Sequence, residues 1–121
     1  MSIKALIADD SGVMRKIVVR AANKAGIQDV TEAADGADAL AKFGKDSFDL
    51  VMTDWNMPNK TGLELAQDIR GQGSSVPIIM ITTEAEKSNV LEAIKAGVND
   101  YLTKPFEVED LAAKIEKLGL C

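Results

Sequence analysis

The sequence contains no histidine. That absence removes Ser/His/Asp and Cys/His catalysis and most zinc sites, so any chemistry must come from carboxylates, hydroxyls, lysines and a hard metal ion. Cysteine is nearly absent too. The one thiol, Cys121, is the last residue and has no intrachain partner, so nothing speaks for an oxidising compartment. No apolar run approaches the roughly 18–20 residues of a membrane span, and the opening Met-Ser-Ile-Lys is not a signal peptide; a cytoplasmic location is the expectation. A net charge of −5 argues against nonspecific nucleic-acid binding, which needs clustered Lys and Arg, so neither nucleic acid nor membrane is expected as a partner. Asn59-Lys60-Thr61 matches a glycosylation sequon, which without a secretory signal reads as chance.

What remains is an ordinary globular composition, 46% hydrophobic and 27% charged over 121 residues, which fits one domain spanning 1–121. Apolar runs alternate with helix-period segments about five times. Strands are expected at Lys4 to Ala8, Asp29 to Ala33, Asp49 to Thr53, Pro77 to Ile81 and Asp100 to Thr103. The second is more polar and suits a sheet edge; the first, third and fourth belong at the centre. Between them, Ser11 to Ala25 places Val13, Ile17 and Ala21 with Met14, Val18 and Ala25 at helical spacing, with Gly26 as its stop. Further helices are expected from Gly36 to Gly44, from Gly62 to Arg70 with Leu65, Ala66 and Ile69 on one face, and from Glu84 to Ala96 before Gly97. Val108, Leu111, Ile115 and Leu118 mark a last amphipathic helix. Five strands alternating with five helices imply an α/β fold: a parallel sheet covered on both faces.

Ligands of such sheets sit beyond the carboxyl ends of the strands. There the phasing gathers Asp9-Asp10 after the first strand, Asp54 after the third, Thr82-Thr83 after the fourth and Lys104 after the fifth. Three carboxylates in one pocket repel unless a cation is present, and Mg2+ commonly takes one or two carboxylates plus waters and phosphate oxygens. With Mg2+ and Lys104 in place, a phosphoryl group meets two cations, Thr82 can hydrogen-bond it, and a carboxylate is an acceptable nucleophile toward phosphorus. Each residue also has a plainer reading. Asp9-Asp10 could cap the following helix, Asp54 could form a turn before Pro58, Thr83 with Glu86 fits a capping box, Thr82 could be only a strand-end residue, and Lys104 could be simply solvated. Their coincidence at one edge carries the functional reading.

The acidic pair Asp9-Asp10, the run Asp54-Trp55-Asn56-Met57-Pro58 with Gly62, the strand-end Thr82 and Lys104-Pro105-Phe106 run in order through nearly the whole chain. In this the sequence resembles the receiver family of two-component signalling, and its chemotaxis members most. The resemblance implies a doubly wound, flavodoxin-like sheet in the order 2-1-3-4-5. It implies Asp54 as phosphoacceptor, Asp10, Asp54 and the backbone carbonyl of Asn56 as Mg2+ ligands, and Asp9 as holder of a metal-bound water. Thr82 and Lys104 would contact the phosphoryl oxygens, and the Lys104-Pro105 bond would be cis. Thr82 would move toward the phosphoryl group while Tyr101 turns inward. The output face would be the fourth helix, last strand and last helix, with Ala85, Lys87, Val90, Tyr101, Lys114 and Lys117; three helical lysines are also a common solvated face. A sensor histidine kinase would be the phosphodonor, a flagellar-motor switch or other protein the target, and a phosphatase a further partner. The chain itself would be no enzyme beyond promoting its own phosphorylation and dephosphorylation.

Other functions are weaker. A Mg2+-dependent aspartyl-phosphate phosphatase usually has a second acid two residues after the nucleophile; here that residue is Asn56, which has no proton to exchange. A flavin or nucleotide binder needs a phosphate-cradling loop, and Asp9-Asp10-Ser11-Gly12 would repel phosphate. A phosphorelay intermediate keeps the receiver and changes only the output; no effector is expected after the last helix, so that output is expected to pass through another protein. Asn56, Thr83 and Glu84 occupy positions that tune phosphoryl lifetime in the family. Thr83 departs from the smaller residue many receivers carry there, and its branched side chain is expected to slow phosphatase or phosphotransfer chemistry. Thr83→Ala should therefore speed loss of the phosphoryl group, alone and with a partner; unchanged rates in both assays would overturn this reading.

Overall fold

The computed structural model describes residues 3–83 and 90–119. Its elements run in the order β1 (Lys4–Ala8), α1 (Gly12–Lys24), β2 (Asp29–Ala33), α2 (Gly36–Phe43), β3 (Leu50–Asp54), α3 (Gly62–Gly71), β4 (Ile78–Thr82), α4 (Val90–Lys95), β5 (Asp100–Thr103) and α5 (Val108–Lys117). The strands form one sheet in the order β2-β1-β3-β4-β5, and every neighbouring pair is parallel. This is the doubly wound, flavodoxin-like arrangement, with the polar β2 at an edge and β1, β3 and β4 inside. Among the described residues no helix is long and apolar enough to cross a membrane.

Strand alternation divides the core in two. Leu6, Ala8, Val51, Ile78 and Met80 face a layer containing Ala39 of α2, Leu65, Ala66 and Ile69 of α3, and Ala93 of α4. Ala5, Ile7, Leu50, Met52, Ile79 and Ile81 face Val18, Ala21 and Ala22 of α1 and Leu111, Ala112 and Ile115 of α5. All five residues of β3 and all five of β4 are buried, as their apolar runs require of strands covered on both faces. Each isoleucine or leucine so buried contributes about 1.5–3 kcal/mol.

The ends of the elements have local causes. Ser11 Oγ accepts from Met14 N, so Ser11 is the N-cap of α1 rather than its first residue, and the capping role considered for Asp9-Asp10 falls to it. Helices α1 and α4 end ahead of Gly26 and Gly97, both at positive φ. Thr61 and Glu64 close a capping box on α3. Two strands sit one residue later than the pattern suggested. Asp54 belongs to β3 because its residue pairs with Ile81, and Pro77, with no N–H to donate, precedes β4 while its carbonyl accepts from Val51 N. Val13 is a further correction: it is 76% exposed, and α1 buries Val18, Ala21 and Ala22 instead. Of the expected helix from Glu84 to Ala96, residues 84–89 lie outside the described residues.

The turn from β3 into α3 depends on a close approach. Gly62 N donates to Trp55 O at 2.8 Å, and a Cβ on Gly62 would stand 2.1 Å from the Asp54 carbonyl oxygen. Backbone cannot yield there as a flexible side chain can. Gly62→Ala is expected to cost about 3 kcal/mol in urea unfolding, the upper end for overpacking. Gly71→Ala on the same helix, where a Cβ meets nothing within 4 Å, should be neutral or stabilising.

Candidate functional site

The crevice between β1 and β3 lies where the sheet order reverses. Asp9 and Asp10 come after β1 on one side of it and Asp54 ends β3 on the other. One carboxylate oxygen from each of the three lies within 4.8 Å of the others. Asp9 and Asp54 are buried and Asp10 is exposed, so the cluster opens to solvent on one side. Lys104 comes directly after β5, whose Thr103 pairs with Thr82, and Lys104 N donates to Thr82 O. Its Nζ reaches across to Asp54 Oδ1 at 3.2 Å and stands 3.9 Å from Asp9 Oδ2.

The two buried acids are held by backbone. Ser11 N donates to Asp9 Oδ1 at 2.8 Å, and Trp55 N donates to Asp54 Oδ1 at 2.8 Å. Burial nonetheless raises both carboxyl pKa values above the usual range. For Asp54 the charge and hydrogen bond of Lys104 oppose that rise without cancelling it; for Asp9 the Ser11 N–H does so, while the Asp54 charge adds to it. Among the described residues, two buried polar atoms, Asp9 Oδ2 and Thr82 Oγ1, have no hydrogen-bond partner. An orphaned carboxylate oxygen beside two more carboxylates fits a hard divalent cation, which takes oxygen ligands. The buried Thr82 hydroxyl is available to an incoming oxygen-rich group.

Of the remaining expected residues, Asn56 is exposed on the loop after β3, between buried Trp55 and Met57. The Lys104-Pro105 bond is cis. Thr83 is half-buried; its expected capping partner Glu86, together with Glu84, Ala85 and Lys87 of the tuning and output sets, lies outside the described residues, as does Cys121. Val90, Tyr101 and Lys114 are half-buried and Lys117 is exposed. Lys114 is not simply solvated: its Nζ pairs with Asp100 Oδ1 at 3.1 Å and lies 6.0 Å from the Tyr101 ring centre. Leu91 and Ile94 add exposed apolar surface on α4. Sequence reasoning passed over Arg15, whose Nη1 donates to Asp9 O at 2.8 Å while its Nε pairs with Glu32. A basic pair, Arg15-Lys16, one turn into the helix behind two acids was the available signal.

Fold and site together define a doubly wound α/β protein with an acidic, metal-capable pocket at its topological switch point. Residues 5–116 match the response regulator receiver domain, and the chain belongs to that family. Chemotaxis protein CheY-3 of Vibrio cholerae is 41% identical over 119 residues, 97% of this chain and 92% of that protein. Chemotaxis protein CheY of Pseudomonas aeruginosa is 40% identical, covering 96% of this chain and 95% of its own length. The structure of chemotaxis response regulator CheY4 of Vibrio cholerae superposes with a TM-score of 0.89 at 37% identity, over 98% of this chain and 99% of that one.

The raised carboxyl of Asp9 gives a pH signature. Its ionised form is penalised in the folded state, so the native protein holds that proton to higher pH than the unfolded chain. Stability is lost as pH climbs from the ordinary 3.8 through the raised value, and stays lost above it. Asp9→Asn should therefore be more stable than the parent at neutral pH in EDTA, with the gain vanishing below the ordinary carboxyl range. Paired urea titrations at acid and neutral pH would show an equal difference at both if this were wrong.

Proposed function

We propose that the protein is a phosphoacceptor switch that takes a phosphoryl group on Asp54 in the presence of Mg2+. The observation that carries the reading is the placement of Asp54: buried at the end of an interior strand, 3.2 Å from the Lys104 ammonium and grouped with Asp9 and Asp10. Asp10, Asp54 and the Asn56 carbonyl would hold the ion, with Asp9 on a water bound to it. A bound Mg2+ supplies neutralisation of the charge that gathers in phosphoryl transfer. An oxygen of Asp54 forms the bond to phosphorus as the donor's own bond to phosphorus breaks and its electron pair leaves with the donor; the product is an acyl phosphate. Lys104, already directed at Asp54, takes up negative charge on the transferred group. The Thr82 hydroxyl, which has no hydrogen-bond partner among the described residues, donates to one of its oxygens. With no histidine and no second acid at Asn56, the chain has little means of turning over a phosphomonoester, so it acts on itself rather than as an enzyme toward others.

The chemotaxis relatives favour a histidine kinase as donor and a protein of the flagellar switch as target, with a phosphatase to end the signal. Exposed Leu91 (64%) and Ile94 (54%) support α4, β5 and α5 as the output face. As Thr82 shifts toward the phosphoryl group, Tyr101 turns inward beside it, giving up its place under Lys114.

Incubation with acetyl phosphate should add one phosphoryl group to the intact mass in Mg2+, and none in EDTA or in Asp54→Asn. A gain that survives in Asp54→Asn would place the modification elsewhere, one that survives in EDTA would remove the ion from the reaction, and no gain in the parent would leave a binding module that works without phosphorylation.

A further inference from the structure

The loop between Asp54 and α3 carries Asn56, whose carbonyl the proposed function places on the ion, so whatever fixes this loop fixes one side of the ion site. Its first half is held by the core, where Trp55 and Met57 are buried on the α2–α3 face of the sheet. Its second half turns sharply: Lys60 N donates to Pro58 O, and Asn59 between them has φ of 70°. Among the described residues Asn59 is the one non-glycine residue with positive φ. Glycine would adopt that backbone at less cost, but it has no amide. Asn59 Nδ2 donates to Asp35 Oδ2 at 2.8 Å, 24 residues away at the start of α2. The other oxygen of Asp35 accepts from Asp38 N at 2.7 Å, so one carboxylate both caps α2 and grips the loop. These two bonds also hold its pKa below the usual range, so it is ionised whenever the site works near neutrality. Beside it, a Cβ on Gly36 would stand 2.2 Å from Lys60 O: α2 lies directly against the backbone of the turn. Farther along, Lys60 pairs with Asp68 of α3.

We infer that Asp35 and Asn59 are a pair of positioning residues for the divalent-ion site, anchoring the Asn56 loop to the N-terminus of α2. The inference rests on the proposed Mg2+ site. Neither residue touches the ion; they act as outer partners that set a ligand's position, a role whose loss commonly costs about 10–100-fold in metal affinity. It is distinct from capping, because the capping oxygen of Asp35 and the gripping oxygen differ.

The test is Mg2+ titration monitored by the fluorescence of Trp55, the single tryptophan and the neighbour of Asp54, with calorimetry as the second readout. Asn59→Gly keeps the positive-φ backbone and the α2 cap while removing the amide. Asp35→Ser keeps a capping hydroxyl and removes the second oxygen. Each should raise the Mg2+ Kd by about tenfold, and the double variant should bind no more weakly than either single one, as a pair acting as a unit requires. A purely structural role would lower the melting temperature and leave Kd within about twofold of the parent; that result in the single variants overturns the inference. Should Asp35→Ser not fold, Asn59→Gly decides, since it leaves α2 capped. A parent that shows no Mg2+ response overturns the underlying site and this role with it, whereas a responding parent with unchanged variants overturns the pair alone.

Discussion

Like charges held close together in a partly buried pocket are the constraint on which this molecule turns. Asp9, Asp10 and Asp54 converge within 4.8 Å, with Lys104 the cation seen to reach two of them. One ammonium cannot neutralise three carboxylates, and desolvation raises the pKa of both buried acids. Such a cluster costs stability wherever it is built, and it persists only if the scaffold beneath it is firm. That scaffold is β3 and β4, every residue of which is buried, flanked by two independent apolar layers.

The parallel sheet is what makes the gathering possible. Each strand ends at the same edge, so residues 9, 54, 82 and 104, far apart in sequence, meet without any long connection. Close packing then fixes their relative positions. Gly62 lets the chain pass the Asp54 carbonyl, and backbone N–H groups of Ser11 and Trp55 each hold one carboxylate oxygen. Asp9 Oδ2 and Thr82 Oγ1, the buried polar groups without partners among the described residues, lie at this edge too.

Much of this was legible in the order of residues, for a physical reason. Strands buried on both faces read as apolar runs, and in a parallel sheet the residues just past the end of such a run stand at the ligand edge. Lys4–Ala8, Asp29–Ala33 and Asp100–Thr103 have the bounds their patterns implied. The shifts at β3 and β4 arise where hydrogen-bond registry, not polarity, decides: Asp54 is charged yet pairs with Ile81. Val13 shows the limit of helical periodicity, since a residue in the first turn of a helix can be in phase with the apolar stripe and still be exposed. Contacts between distant polar residues were the least legible. Nothing local ties Arg15 to the Asp9 carbonyl or Asn59 to Asp35; only the folded positions of α1, α2 and the loop bring them together.

The opposite edge of the sheet treats charge in the contrary way. There Lys4 pairs with Asp46 and lies 4.0 Å from Asp29, and its ammonium stands 5.9 Å from the ring centre of Phe48, which stacks on Phe43. The hydrogen bond with Asp46 raises the pKa of Lys4, and the same bond lowers that of Asp46, so each partner favours the charge of the other. At the carboxyl edge burial pushes Asp9 and Asp54 toward their neutral forms. A fold optimised for stability alone would pair or remove both sets of charges. Asp29 and Asp46 share Lys4 at the surface, whereas Asp9 and Asp54 are buried with Lys104, so an oxygen-binding cation would relieve more repulsion at the carboxyl edge. A phosphoryl group on Asp54, as proposed, would bring further negative charge to that edge, where Lys104 is the cation seen to reach Asp54 among the described residues.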